Sequence, residues 1–202
     1  MASQALKVPA VSASGNPLAI RMSLRRDGKP LVLHYAVYAC DASVRTAWLD
    51  ATRGFFNGTS LCLQVCEQLD QPHTLELLPP DAAPQWSAAT GLLPVKVNKR
   101  GFGTYTAANY DELVDCPVEM GEFWSGSFTA CGVPHRFVVA GAPPSFDGAQ
   151  LLKDTQAIVE AELAFWHAPS NSYKNDSGLR KANGGYSPIL FKNYLFMLNA
   201  VH

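Results

Sequence analysis

Apolar and polar positions alternate with a period of two through most of the first 130 residues, and a helical spacing takes over only beyond Pro143-Pro144. Ile20–Leu24 alternates, Asp27-Gly28 offers a tight turn, and Leu31–Ala39 returns with β-branched and aromatic residues, a pattern that predicts a hairpin. Leu61, Leu63 and Val65 predict a strand after the turn-forming Asn57-Gly58. Thr74–Leu78 predicts another, and shorter ones are expected near Trp86–Thr90 and Leu93–Val97. Gly and Pro punctuate this part at the intervals of an antiparallel sandwich.

From Ala149 to Trp166 the residues Leu151, Leu152, Ile158, Val159, Leu163 and Trp166 recur at helical spacings and predict one long helix. Asp147 followed by Gln150 resembles a capping box at its start, and Ala168-Pro169 ends it. His135–Ala140 reads as a strand before the helix. The nearly continuous apolar run 193–201 reads as a buried strand after it. The expected fold is therefore α+β: an antiparallel β-sandwich-like domain over 1–130, then the start of an α/β domain over 131–202. The polar stretch 170–188 is longer than most loops of compact domains and is expected to be a flexible insertion, ahead of a functional loop or foreign sequence. Because a buried strand needs neighbours on both sides, the terminal run gives the chain the look of a piece of a longer protein.

With 48% hydrophobic and 16% charged residues the chain can bury a substantial core. Its 16 basic and 17 acidic residues are spread without blocks, which argues against nucleic acid or an anionic membrane surface as a partner. The N-terminal residues lack the apolar stretch of a secretory signal, and the five irregularly spaced cysteines suit a reducing, cytoplasmic setting. Cys62 and Cys66 would share one strand face, but no second pair stands at zinc-ribbon spacing.

Candidate chemistry is sparse. No two of His34, His73, His135, His167 and His202 stand at the spacing of a zinc helix, so no catalytic residue and no metal ligand is assigned. Cys116 with His135 is a conceivable nucleophile and base, with Cys131 a second candidate thiol. Asp111, Glu112, Asp115, Glu119 and Glu122 form an acidic cluster that serves either acid/base work or a solvated turn. Trp48, Trp86 and Trp124 would line a groove if the chain were an independent peptide- or carbohydrate-binding module.

Several blocks together resemble one family. Ser43–Asp50, Arg53-Gly-Phe-Phe-Asn-Gly-Thr-Ser60, Asn109–Phe123, Cys131-Gly-Val-Pro-His-Arg136 and Tyr194–Val201 are similar, in order and rough spacing, to the glycyl aminopeptidase family of zinc peptidases. That resemblance implies a thermolysin-like catalytic domain followed by a PDZ domain, with both acting as partners of this region, and a peptide substrate that loses an N-terminal Gly or Ala. It implies zinc in the full-length enzyme, where a metal-bound water attacks the first peptide carbonyl. The family's Gly-Gly-Leu-Glu-His and His-Glu-x-x-His motifs have no counterpart here, so the resemblance implies no cofactor for this part and a role as the non-metal wall of the cleft. Phe55, Phe56 and Asn57, in the most exposed apolar turn available, are the expected substrate contacts, with a pair of core aromatics beside a hairpin turn as the alternative.

Overall fold

The computed structural model describes residues 32–65, 68–167 and 191–200. The chain divides into a unit ending at Ala36 and one running from Val37, and the regular elements of the described residues lie in the second. In chain order they are β1 (Ala47–Leu49), β2 (Arg53–Phe56), α1 (Gly58–Leu61), β3 (His73–Leu77), β4 (Ser87–Thr90), β5 (Leu93–Val97) and β6 (Gly103–Ala107). Then come α2 (Tyr110–Asp115), β7 (Val118–Gly121), β8 (Phe123–Ala130), β9 (Val133–Ala140), α3 (Gly148–His167) and β10 (Tyr194–Asn199).

Two antiparallel sheets make the sandwich-like part. One has the order β1-β2-β7-β4, the other β3-β6-β5. Phe56, Ala88 and Val118 from the first and Leu77, Tyr105 and Ala107 from the second meet in one apolar cluster around the buried Trp86, and Leu113 of α2 closes it. The fold is mostly β with few helices, as the alternating pattern predicts. The strands expected near Thr74, Trp86 and Leu93 are β3, β4 and β5.

The third sheet, β10-β9-β8, is mixed. β8 and β9 pair antiparallel around the tip at Cys131-Gly132, which is where the boundary between the expected domains 1–130 and 131–202 falls. β9 and β10 run parallel, from Tyr194 opposite His135 to Asn199 opposite Ala140, with α3 as the crossover between them. This is the strand, helix, strand unit expected from the change of period, and its central strand β9 buries Phe137, Val138, Val139 and Ala140. Asp147 caps α3 by accepting the Gln150 N–H at 2.9 Å. The reciprocal half of a capping box is absent, because Gln150 Nε2 donates to Asp154 instead, at 2.7 Å.

Four sequence expectations need correction or placement. Val32–Ala39, expected as the returning strand of a hairpin, carries no strand, and the first half of that hairpin lies outside the described residues. The expected strand at Leu61–Val65 is instead the end of α1 followed by irregular chain, because Asn57-Gly58 opens a short helix rather than a reverse turn. The terminal strand is an edge strand, half-buried, with no partner on its outer side among the described residues. The stretch 170–188 also lies outside the described residues.

Two local features fix how the elements meet. Trp124 of β8 lies across Gly126 and the first residue of α3, Gly148: a Cβ on Gly126 would come within 2.6 Å of the indole and 2.7 Å of Leu152. The glycines are thus what lets α3 approach β8. The β1–β2 turn is organised by Asp50, whose carboxylate accepts from the backbone N–H groups of Thr52 and Arg53, from the Thr52 hydroxyl and from Trp48 Nε1, at 2.7 to 3.0 Å.

The close approach predicts that Gly126→Val lowers stability by about 1–3 kcal/mol through overpacking. A concurrent Trp124→Ala should make the pair of changes non-additive in urea titrations, since the clash and its cause are then removed together. The hydrogen bonds donated by Thr52, backbone first, hold the Asp50 carboxyl at about 2, below its ordinary 3.8. A folded value below the unfolded one means that the contribution to stability is complete above the unfolded value and is lost as pH falls through the folded one. Denaturant midpoints should therefore drop between about pH 4 and pH 2 more steeply for the natural protein than for Asp50→Asn, with the carboxyl shift read directly by NMR.

Candidate functional site

The residues expected to touch substrate sit where β2 passes into α1. Phe55 and Phe56 belong to β2, and both side chains are buried. Phe56 faces the sandwich core, beside Ala47 and Val118, while Phe55 lies on the opposite face of the sheet with the Arg53 guanidinium 5.2 Å from its ring centre. Asn57 has an extended backbone and caps α1, its side-chain oxygen accepting from the Thr59 N–H at 3.0 Å and the Thr59 hydroxyl at 2.6 Å. Gly58 is required by proximity rather than by backbone angle, since a Cβ there would stand 2.7 Å from the Val114 Cα of α2.

This α1–α2 contact borders a groove of about 730 Å³ lined by Arg45, Asn57, Thr59, Asp111, Glu112 and Asp115. α2 itself starts on Asn109, which accepts the Glu112 N–H at 2.8 Å, while Glu112 accepts from the Ala108 N–H. A second groove, of about 880 Å³, runs between this region and β10, with Glu112, Asp115 and Cys116 on one wall and Phe191, Tyr194 and Met197 on the other. Of the three expected contacts, Asn57 lines the first groove, whereas the two phenylalanines are buried and are not part of its lining.

The acidic cluster read from the sequence divides in space. Asp111, Glu112 and Asp115 stay together on α2. Glu119 is elsewhere, on β7 and only 2% exposed, where Arg53 grips it through Nε–Oε1 at 2.7 Å and Nη2–Oε2 at 2.8 Å. Burial pushes the Glu119 carboxyl upward, and the hydrogen bonds and charge of Arg53 oppose that shift. The partner of Glu119 stands 66 positions away, and no spacing rule in the sequence connects the two.

Cys116 and His135 do not form a nucleophile and base. The Cys116 thiol is pushed up to about 11, by burial first and then by Asp115 and Glu112, the reverse of activation. His135 is fully buried in an aromatic cluster on the third sheet: its ring stacks on Phe128 at 5.0 Å, and Nδ1 donates to the Val133 carbonyl at 2.9 Å. Cys131 stands exposed at the β8–β9 tip with φ of 49°. The tryptophans are equally dispersed. Trp86 is core, Trp124 is pinned between β8 and α3, and Trp48 is tied to Asp50, so they form no common groove. Among the described residues no group of three or more His, Cys, Asp or Glu side chains is placed to hold a metal ion, so the zinc implied by the resemblance finds no ligand set in them. No helix among them is long and apolar enough to cross a membrane.

The architecture so far is that of a β-sandwich-like domain joined to a parallel βαβ unit, with grooves but no assembled catalytic centre among the described residues. Residues 7–122, more than half of the chain, match the N-terminal domain of peptidase M61, and the chain belongs to that family. A crystal structure of an aminopeptidase N family protein from Idiomarina loihiensis is similar at 35% sequence identity with a TM-score of 0.65, over 80% of this chain and 24% of that one. The chain thus spans about a quarter of the length of that relative. No curated protein matches it.

The environment of Cys116 predicts a reactivity order. At neutral pH a thiol-selective alkylating agent should modify Cys131 rapidly and Cys116 slowly, and peptide mass mapping over a time course checks it. Rapid labelling of Cys116 would revive the cysteine hydrolase.

Proposed function

We propose that this chain is the N-terminal, non-catalytic region of a zinc-dependent aminopeptidase that releases small N-terminal residues, Gly or Ala, from peptides. The observation that carries the reading is the match of residues 7–122 to the peptidase M61 N-terminal domain, and the similarity to an aminopeptidase N family protein supports it. In this reading the metal and its ligands belong to the catalytic part of a longer polypeptide, a PDZ domain follows that part, and the chain supplies the wall of the cleft away from the metal. Asn57 reaches the substrate from the groove along α1 and α2, and Phe55 and Phe56 position it from below. The setting is cytoplasmic.

The test compares the 202-residue chain with a polypeptide extended to the length of the relative. The extended enzyme should hydrolyse glycyl and alanyl peptides and lose that activity to a chelator, while the shorter chain is inactive and retains no stoichiometric zinc. Chelator-insensitive hydrolysis, or one tightly held zinc per short chain, rules the reading out. Within the extended enzyme Phe56→Ala should cost about 3–5 kcal/mol of stability through a core cavity. Asn57→Ser keeps the helix cap and should raise KM with little change in melting temperature. A KM that does not move removes Asn57 from the substrate site.

A further inference from the structure

The groove between α2 and β10 has walls of two kinds. Leu93 of β5 stands on the sandwich side with the carboxylates of Glu112 and Asp115, and Phe191, Tyr194 and Met197 stand across from them. Leu93, Phe191 and Tyr194 are 37%, 36% and 46% exposed. Large apolar side chains left in water along a concave surface gain from being covered, and about 880 Å³ falls within the roughly 300–1,000 Å³ of ligand-binding clefts.

The aromatic wall is fixed in advance. The rings of Phe191 and Tyr194 meet edge to face with centroids 5.5 Å apart, and both approach the buried His135 ring, at 6.2 and 5.9 Å. A ligand that packs there does not have to order them first. The facing wall is negative. Glu112 accepts from the Ala108 N–H, while the Asp115 carboxylate makes no hydrogen bond or ion pair among the described residues. Their field reaches into the groove, since after burial it is Asp115 and Glu112 that raise the Cys116 thiol lining the same space. Lys192 also lines it and pairs with neither acid among the described residues, so two carboxylates stand against one ammonium. Aromatic rings beside uncompensated carboxylates suit a cation carried on an apolar stem.

We propose that this groove binds a peptide segment through an arginine or lysine side chain, with the charged head at Glu112 and Asp115 and the flanking apolar residues of the segment covering Leu93, Phe191 and Tyr194. Charge complementarity selects such a segment over an acidic one, and the apolar walls select it over a wholly polar one. Lys192 sets a limit, because a second cation in the segment meets like charge. The site is read by binding and not by hydrolysis, so it stands or falls apart from the aminopeptidase reading.

The test titrates the peptide Ala-Leu-Arg-Leu-Ala, acetylated and amidated so that arginine carries its only charge, into the 202-residue chain and into the extended enzyme by calorimetry. Its blocked N-terminus keeps an aminopeptidase from cleaving it. Both proteins should bind one peptide per chain, and the citrulline counterpart, equal in shape and uncharged, should bind at least about tenfold more weakly. Asp115→Asn removes a negative charge from the C-terminal end of α2, which the helix tolerates, and should weaken the arginine peptide about tenfold with little effect on the citrulline one. Leu93→Lys should abolish binding of the arginine peptide. Asp111, which lines the α1–α2 groove and not this one, is the control, and Asp111→Asn should leave the affinity unchanged. Equal affinity for the two peptides overturns the proposal. Equal weakening by Asp111→Asn and Asp115→Asn moves the peptide to the α1–α2 groove and overturns it too. So does failure of either peptide to bind, where sedimentation separates a groove covered by a second copy, seen as a dimer, from one covered by the chain itself. Binding by the short chain alone shows that the longer enzyme covers the groove, and the proposal fails. Hydrolysis of glycyl peptides is measured separately on the same preparations. An extended enzyme that binds the arginine peptide and hydrolyses nothing refutes the aminopeptidase and keeps the groove, and an active one that does not bind it does the opposite.

Discussion

The ion pair between Arg53 and Glu119 is the constraint around which the first sheet is arranged. Glu119 lies on β7, the strand that pairs with both β2 and β4, and it is almost wholly removed from water. An ionised carboxylate so placed costs several kcal/mol of lost hydration, and removing one partner of such a pair typically costs roughly 3–5 kcal/mol because the other charge is left stranded. Bidentate geometry offsets much of the penalty, and it demands that Arg53 arrive at one position and one angle. Asp50 supplies that demand from the other end, since the same carboxylate that closes the β1–β2 turn accepts the backbone N–H of Arg53. A one-residue slip of β7 against β2 would turn Glu119 into the apolar cluster around Phe56 and Val118, so the pair contributes specificity of register beyond whatever stability it adds.

How much of this was legible follows from how local each cause is. α3 and the strands near Thr74, Trp86 and Leu93 are visible because their patterns repeat over enough residues to define a period, and the parallel β9–β10 pair follows from strand, helix, strand order alone. α1 and α2 are too short to show a period. Their signals are caps, Asn57 before Gly58 and Asn109 three residues before Glu112, and the first was read as a reverse turn because Asn-Gly serves both purposes. What decides between them is the contact of Gly58 with Val114, which is tertiary and has no trace in a local window. Glu119 shows the same limit in another form: in a list of nearby acids it looks like a member of a solvated cluster, and only strand pairing reveals its partner.

The candidate site divides along the same line. The Phe55-Phe56-Asn57 block stands out in the sequence as an apolar pair beside a turn-forming Asn-Gly, and the structure gives its three residues different surroundings because β2 ends between Phe56 and Asn57. Alternation sends the two rings to opposite faces, one into the sandwich core and one beneath Arg53, and the chain then leaves the sheet so that Asn57 lies along a groove. Mutation of either ring thus acts first on the position of β2, and any effect on a ligand in the groove is transmitted through Asn57 and the α1–α2 contact.

β10 joins these two halves of the molecule. Its side chains alternate between a face shared with α3, carrying Phe196 and Leu198, and a face that carries Leu195 and Met197 into the groove opposite Glu112, Asp115 and Cys116, which Tyr194 at the start of the strand also lines. Phe196 and Tyr194 are stacked into the cluster built on the buried His135 ring, so the strand is anchored on the first face by aromatic contacts with β8 and β9. Among the described residues the second face carries no comparable aromatic cluster, and it borders the groove. β10 thus runs from the aromatic cluster of the α/β part, through Phe196, to the groove in which Glu112 and Asp115 of the sandwich-like part lie.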